Sequence, residues 1–388
     1  MGQNGPSDTS ALKSLLTLLS NVRGDLANLT IPPFFLAPKS VTQVPASWAE
    51  RPSNFAAPAK ESDPQKRALL VLTFWLASLR TQFYVDGDVK GGIKKPLNAF
   101  LGEIYTAKWT EGDDSTEIIS EQVSHHPPIT AVRVWDEKHG ISANGYARVE
   151  MTFNGNVNIK QYGHVMLHID GYNEDYLMPF PYAQVKGLMS GTFYPELTGT
   201  YQIVSTSGFV SEVEFSGKGL LGSGDKNHVH ATVYRNEDPK KTPIYSVDGC
   251  WSDTFTVRDE AFNKDVETFD TSISPQEPQY HENADPWETQ VAWRDVIAHL
   301  RQGNTKKAGA EKNKLEDAQR VLRKKLREES WESLFFSAKD EWYPTFDKLS
   351  QGTGLDLHKE KTKGVWRFMK EKAESVSRPF HGDMTPMG

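Results

Sequence analysis

Between Leu97 and about Val257 the chain is a close succession of short β-rich runs separated by Gly, Asn and Pro, the spacing of an antiparallel meander. In Ile129–Trp135, the residues Thr130, Val132 and Val134 alternate with Ile129, Ala131, Arg133 and Trp135. Phe209–Phe215 sets Phe209, Val213 and Phe215 on one face and Glu212 and Glu214 on the other. His228–Tyr234 alternates Val229, Ala231 and Val233 with His228, His230, Thr232 and Tyr234. So many strands in one stretch imply a single large sheet. A sheet of that size tends to curl and close, because an open edge exposes unpaired amide and carbonyl groups.

Helical texture flanks this region. Leu12, Leu15, Leu16, Leu19 and Val22 recur at helical spacing opposite Ser14, Thr17 and Asn21, with Ser10 as N-cap and Gly24 as stop. Such a helix either packs on its own domain or serves as a movable lid. Its polar face is Ser/Thr, so contact with lipid would depend on inserted leucines rather than on charge. Residues 30–65, rich in Pro and Ala, read as a covering segment. Pro64–Arg80 reads as a buried core helix. Its apolar stretch Ala68–Leu79, interrupted by Thr73 and Ser78, is shorter than the roughly 20 residues that span a bilayer. After Ser274, Trp287–Leu300 and Glu311–Glu329 read as further helices.

Charge narrows the class of partner. Lys and Arg number 44 against 51 Asp and Glu, a net −7, which argues against a general nucleic-acid binder. Yet Arg301–Glu329 holds ten Lys/Arg and five Asp/Glu, a local +5, leaving −12 for the rest (−7 − 5). That island suits an anionic ligand or membrane surface, or else a solvated helix with paired faces. The single cysteine, Cys250, rules out an internal disulfide and a Cys-rich zinc module, and fits a reducing compartment. The N-terminal stretch lacks the basic leader and cleavage site of a secretory signal. A soluble, cytosolic chain is the expectation.

Common catalytic signatures do not occur: there is no GxSxG, GxxxxGK[ST] or HExxH. Gly219–Gly224 reads as a turn. His228 and His230 share a strand face at a spacing compatible with two metal ligands, but with no third in view; His164 and His168 are similar. The exceptional stretch is Glu121-Gln122-Val123-Ser124-His125-His126-Pro127-Pro128. Its prolines fix φ, remove two donors and are expected to hold the chain extended, presenting two imidazoles. Imidazoles titrate near neutrality, donate from both nitrogens when protonated, and are favoured in that form by a nearby phosphate monoester. Anion binding, a surface accident and metal-dependent hydrolysis all remain open on these residues.

Glu121–Pro128 resembles the fingerprint of the oxysterol-binding-protein family. Lys94–Glu103, Lys160–His164 and Lys312–Arg327 resemble further blocks of that family, in its order, and the resemblance runs from about residue 8 to about residue 380. The chain looks like the short fungal members. The resemblance implies a mainly β fold: a large near-closed antiparallel β-barrel around a central lipid tunnel, with an N-terminal lid helix and a C-terminal helical segment. The corresponding divisions are 1–30 (lid region), 31–96 (covering segment and core helix), 97–273 (barrel) and 274–388 (helical segment), all of one ligand-binding domain.

The family's phosphatidylinositol 4-phosphate residues map onto Lys95, Leu97, Asn98, His125, His126, Lys312, Glu316 and Arg320. Lys312, Glu316 and Arg320 also stand at i, i+4 and i+8, so one helix face presents them together. Sterol-contacting positions look like Trp48, Gln82, Phe83, Ala147 and Gln161; Phe83 and Ala147 replace a tyrosine and an asparagine, each removing a hydrogen-bonding group. Leu12, Leu15, Leu16, Leu19 and Val22 correspond to the lid. Leu334–Asp340 loosely resembles a two-phenylalanine peptide that docks on receptors, but it lacks the leading acidic residue. Beside Trp331 and Trp342, its aromatics suit packing on the barrel. The implied protein is a monomeric, non-enzymatic lipid carrier without metal or cofactor. Its partners are phosphatidylinositol 4-phosphate, a sterol and membrane surfaces met peripherally, and it would work in the cytoplasm, transiently on Golgi and endoplasmic-reticulum membranes.

Overall fold

The computed structural model describes residues 8–21, 24–27, 29, 31–86, 89–188, 193–217, 224–326, 331–339, 344–356 and 360–388. Helix α1 (Asp8–Asn21) is followed by β1 (Leu36–Ser40), α2 (Pro52–Lys60), α3 (Pro64–Phe83) and β2 (Lys95–Leu97). The large sheet follows: β3 (Ile104–Glu111), β4 (Asp114–His125), β5 (Pro128–Asp136), β6 (Ile141–Phe153), β7 (Val157–Ile169), β8 (Glu174–Met178), β9 (Tyr182–Lys186), β10 (Tyr194–Ser205), β11 (Phe209–Ser216), β12 (His228–Arg235), β13 (Tyr245–Cys250), β14 (Thr254–Asp259) and β15 (Lys264–Asp270). Then come α4 (Thr289–Ala292), α5 (Arg294–Arg301), α6 (Thr305–Leu326), β16 (Phe336–Lys339), α7 (Pro344–Ser350), β17 (Val365–Phe368) and α8 (Lys370–Ser375).

The thirteen strands β3–β15 form one antiparallel sheet in nearly sequential order, with β9 set between β7 and β10. The expected alternation holds: Val229, Ala231 and Val233 of β12 are fully buried while His228 and His230 are not. Inward residues from β3 to β14 join one core cluster, which is how a sheet curled on itself buries one face. Its edge strands, β3 and β15, do not pair with each other. The chain after β15 reaches back instead. The Gln276 amide donates to the Glu50 carbonyl, Gln279 and Lys108 exchange bonds of 2.7 and 3.0 Å, and the Ile104 amide donates to the Trp287 carbonyl. The β3 edge is thereby covered.

The core helix does not lie outside the sheet. Leu72, Leu76 and Leu79 of α3 are fully buried in the same cluster as Val213, Val229 and Val247, and Trp75 packs on Phe215 at 5.9 Å. Asp63 caps the helix through the Gln65 amide, Pro64 begins it, and a buried Arg67–Glu174 pair (2.5 Å) fixes its first turn to β8. The β10–β14 half of the sheet is therefore filled by α3.

Several expectations are corrected. The prolines of the His-His-Pro-Pro stretch do not extend the chain: His126 and Pro127 form the turn between β4 and β5, His125 pairs with Pro128, and the His126–Pro127 bond is cis. The strand texture legible to about Val257 continues to Asp270, within the 97–273 division, because the exposed strand β15 has too little alternation to be read. The helix expected at Trp287–Leu300 is two helices, α4 and α5, meeting at Trp293. The one expected at Glu311–Glu329 begins six residues earlier, at Thr305 (311 − 305 = 6); residues 327–330 lie outside the described residues, as do 218–223 of the Gly219–Gly224 turn and Trp342.

Candidate functional site

The other half of the sheet is hollow. A cavity of ≈ 230 Å³, counted as space for the centres of water molecules, lies between β5–β7, β9, the end of α3, the 3-10 helix Val41–Trp48 and the N-terminal segment. One water needs about 10–15 Å³ on this measure, so the space is of organic-ligand size. Its wall is mainly aliphatic and aromatic, with Val132, Val149, Ile159, Val165 and Val185 contributed by the inward faces of the sheet and Phe180 by the connection between β8 and β9.

Trp48, Gln82, Phe83, Ala147 and Gln161, the five positions implied for a sterol, all line this cavity. Trp48 stacks on Phe180 at 6.0 Å. The Gln82 Nε2 donates to Gln161 Oε1 (3.4 Å) and the Gln161 Nε2 to the Pro181 carbonyl (3.3 Å). Gln161 belongs to the Lys160–His164 block. Gly163 in that block has φ +118°, and a Cβ there would stand 2.1 Å from the Tyr146 carbonyl oxygen, so only glycine lets β7 lie this close to β6.

Leu15 and Leu19 of α1, nearly buried, close part of the cavity with Leu26 and Ile31. Leu18 packs beside them, whereas Leu16 lines neither cavity nor cluster. The Leu12 side chain and Val22 lie outside the described residues. Past α1 the chain is tied to β6: the Leu26 amide donates to the Met151 carbonyl (2.6 Å) and the Met151 amide to Asp25 Oδ1 (2.9 Å).

A second, polar cleft of ≈ 130 Å³ shares Asn98 and Ala99 with the cavity. Helix α6 supplies Leu315, Glu316, Gln319, Arg320 and Arg323, and the end of β4 supplies His125. Lys312 is buried and pairs with Glu316 at 2.5 Å; Arg320 is exposed and pairs with Asp317. Lys95 donates to Asn98 Oδ1. Its ammonium lies deep in this region although the residue keeps some exposure to solvent. Burial, and secondly the Lys312 charge, lower its pKa to about 7 against the opposing pull of Glu316 and Asp25. The His125 and His126 rings meet edge-to-face at 4.6 Å, the first half-buried and the second exposed.

Thus Lys95, Asn98, His125, Lys312, Glu316 and Arg320 come together, with His126 at the margin. Leu97 does not present its side chain: it is fully buried in a cluster behind the cleft, and what it can offer a ligand is its main chain. No third metal-type donor gathers with His125 and His126 among the described residues. His164 is a core residue, packed 4.4 Å from the Phe346 ring and lowered to about 3 by burial and then by the Arg367 charge, whereas His168 faces Asp170 and Asp175 at the surface. The two therefore do not act together.

Sequence reasoning missed Gln319 and Arg323, although i+3 and i+7 from Glu316 would have found them. It also left two glutamates without a role. Glu121, which opens the fingerprint, is fully buried and accepts from Ser333 Oγ (2.6 Å) and from the amides of Leu334 (2.9 Å) and Phe335 (3.0 Å). Glu103 accepts from Thr42, Thr289, the Trp293 indole and the Phe100 amide. Burial raises both pKa values. These carboxylates join the sheet to the C-terminal segment and so hold α6 over the cleft. Phe335 and Phe336, of the loosely matched docking peptide, are buried and pack on Phe380 and Phe368.

No helix among the described residues is long and apolar enough to cross a membrane. Residues 14–377 match the family described as Oxysterol-binding protein. The probable transporter efuK of Hormonema carpetanum is 47% identical over 377 residues, 95% of this chain and 54% of that protein, so the chain spans about half the length of that relative. Protein kes1 of Schizosaccharomyces pombe is 34% identical over 372 residues, 92% of this chain and 93% of that one. The Osh1 ORD domain, crystallised with cholesterol, shares the fold with a TM-score of 0.70 at 22% identity, covering 96% of this chain and 89% of that one. The Osh3 ORD of Saccharomyces cerevisiae, in complex with PI(4)P, does so with a TM-score of 0.72 at 18% identity, covering 99% and 96%. With the family match spanning nearly its whole length, and a hollow antiparallel sheet of the same architecture, the chain belongs to the oxysterol-binding protein family.

Proposed function

We propose that the chain is a non-enzymatic lipid carrier that takes phosphatidylinositol 4-phosphate or a sterol-like lipid into one cavity and exchanges them between membranes. The observation that carries this reading is the junction of an apolar cavity, whose wall includes Lys95, with a cleft lined by Asn98, His125, Glu316, Arg320 and Arg323, where the buried Lys312 pairs with Glu316. Acyl chains or a sterol body would leave water for the cavity at roughly 25 cal/mol per Å². A phosphate would not enter unpaired; in the cleft it meets cations, while Glu316 suits inositol hydroxyls. The crystallised ligands of Osh1 and Osh3, cholesterol and PI(4)P, are lipids of these two kinds. Because both would occupy one cavity, loading one excludes the other, and consumption of either at its destination gives exchange a direction. Golgi and endoplasmic-reticulum membranes are the pair this reading implies.

The test combines lipids that co-purify with the chain, identified by mass spectrometry, with liposome-to-liposome transfer. His125→Ala with His126→Ala abolishes extraction of phosphatidylinositol 4-phosphate and spares sterol loading. Equal loss of both in a folded variant contradicts this division. Stable loading without transfer would instead make the protein a phosphoinositide sensor.

A further inference from the structure

An aromatic side chain stands in water at the edge of the lipid site. Residues 31–35 read Ile-Pro-Pro-Phe-Phe, and Pro33–Phe35 form a 3-10 turn that begins on proline. Its two phenylalanines point apart. Phe35 is nearly buried and lines the cavity, whereas Phe34 is 52% exposed. Their rings meet edge-to-face at 5.2 Å, so the pair straddles the wall. The next residue, Leu36, pairs with Lys95, whose ammonium donates to Asn98, a residue that cavity and cleft share. Phe34 therefore stands just outside the junction of the two.

The same turn lies against α6. A Cβ on Gly309 would stand 3.3 Å from Pro33 Cγ, so the glycine lets the turn approach the helix closely. Lys306, Arg320 and Lys324 recur near whole-turn spacing on the Gly309 side of α6, and all three are exposed. Asp317, beside this stripe, is paired with Arg320. Over its whole length α6 carries eight Lys/Arg against three Asp/Glu.

We propose that Phe34 and the stripe of Lys306, Arg320 and Lys324 are the surface on which the chain docks to an anionic lipid bilayer, with the Phe34 ring entering the boundary between headgroups and acyl chains. The inference rests on the carrier reading, in which a lipid passes between a bilayer and the junction. An apolar ring rimmed by cations suits that boundary: the ring is withdrawn from water while the ammonium and guanidinium groups stay at the level of lipid phosphates. Consecutive prolines hold the backbone of the turn, so insertion costs little conformational freedom. The nearly buried Leu15 and Leu19 of α1 are turned into the cavity, which makes this phenylalanine the inserted group rather than those two leucines. A bilayer fits better than an acidic protein because ring and cations border the opening through which a lipid must leave.

The test is co-sedimentation of the lipid-free full chain with phosphatidylcholine vesicles, with and without phosphatidylserine, all lacking phosphoinositide and sterol. Binding is expected on the anionic vesicles and falls as salt is raised. Phe34→Ser should weaken it about tenfold and Phe34→Leu far less, while Lys306→Ala with Lys324→Ala should weaken it about tenfold or more. An environment-sensitive dye on Phe34→Cys, in a Cys250→Ser background, should shift to the blue on these vesicles. The same dye on Phe262→Cys should not, although Phe262 is 80% exposed in the turn between β14 and β15. Loading of sterol from a cyclodextrin complex tests the carrier reading separately, and Phe34→Ser should load as the parent does. Docking without loading would support the surface and overturn the carrier reading. A parent that does not bind anionic vesicles overturns the proposal and leaves the surface to an acidic protein. Phe34→Ser binding as the parent does, or a blue shift at Phe262 instead of Phe34, overturns it equally.

Discussion

Lys95 is held far from the ionisation that water would give it. Burial, and secondly the charge of the neighbouring Lys312, lower the Lys95 pKa to about 7. The sign of the consequence follows. Below pH 7 the lysine is charged both folded and unfolded, and its burial costs stability in full. Between about 7 and its ordinary value the unfolded chain binds the extra proton, so stability rises with pH across that window. Binding runs the other way. A phosphate restores the charged form, so above pH 7 it binds only with proton uptake. Affinity for a soluble inositol phosphate should fall by up to about fifteenfold from pH 7 to 8.5. Lys95→Met should weaken binding at pH 6.5 and remove this slope; calorimetry in two buffers of different ionisation enthalpy reads both. An unchanged slope in Lys95→Met would assign the proton elsewhere.

At the level of elements, α6 and α1 divide the work. The i, i+4, i+8 face of α6 presents Lys312, Glu316 and Arg320, and the next turn adds Arg323, while the buried Leu315 and Gln319 line the cleft beside them. Gln319 is held by the Pro386 carbonyl (2.6 Å) and Lys312 by Glu316, so the cleft's wall is fixed before any ligand arrives. By contrast, α1 touches the cavity through Leu15 and Leu19, and the chain after it is pinned to β6 at Leu26. That arrangement suits a flap hinged near residue 25. Leu15→Ala with Leu19→Ala should speed release of a loaded fluorescent sterol several-fold, and leave the melting temperature of the empty chain within a few degrees. A large drop in melting temperature with unchanged release would make α1 a structural helix.

For the whole molecule, the decisive feature is that α3 fills one half of the curled sheet and stops at Phe83, leaving the other half empty. A void of this kind lowers stability, because its lining lacks packing partners. Ala147 faces it from β6. Ala147→Leu should therefore stabilise the empty chain by about 0.5–2 kcal/mol, as cavity filling commonly does, while lowering sterol loading. Chemical denaturation of the lipid-free protein and a loading assay check the two halves. A variant that loses stability would mean that the wall at Ala147 is already packed.

The β texture, the core helix and the blocks that mark the family were legible in the sequence, because each is written in local periodicity or in residues a few positions apart. Short-range pattern also told that Lys312, Glu316 and Arg320 share a face. It did not tell that Trp48, Gln82, Phe83, Ala147 and Gln161 surround one space, since they come from four separate stretches that only the curled sheet gathers. Nor did it reveal Glu103 and Glu121 as buried anchors, or Asp248 between His228 and His230. A strand's own alternation says which face a residue takes. Its neighbour across the sheet, and whether an interior is packed or hollow, are set by register and by volume, which the chain acquires only on folding.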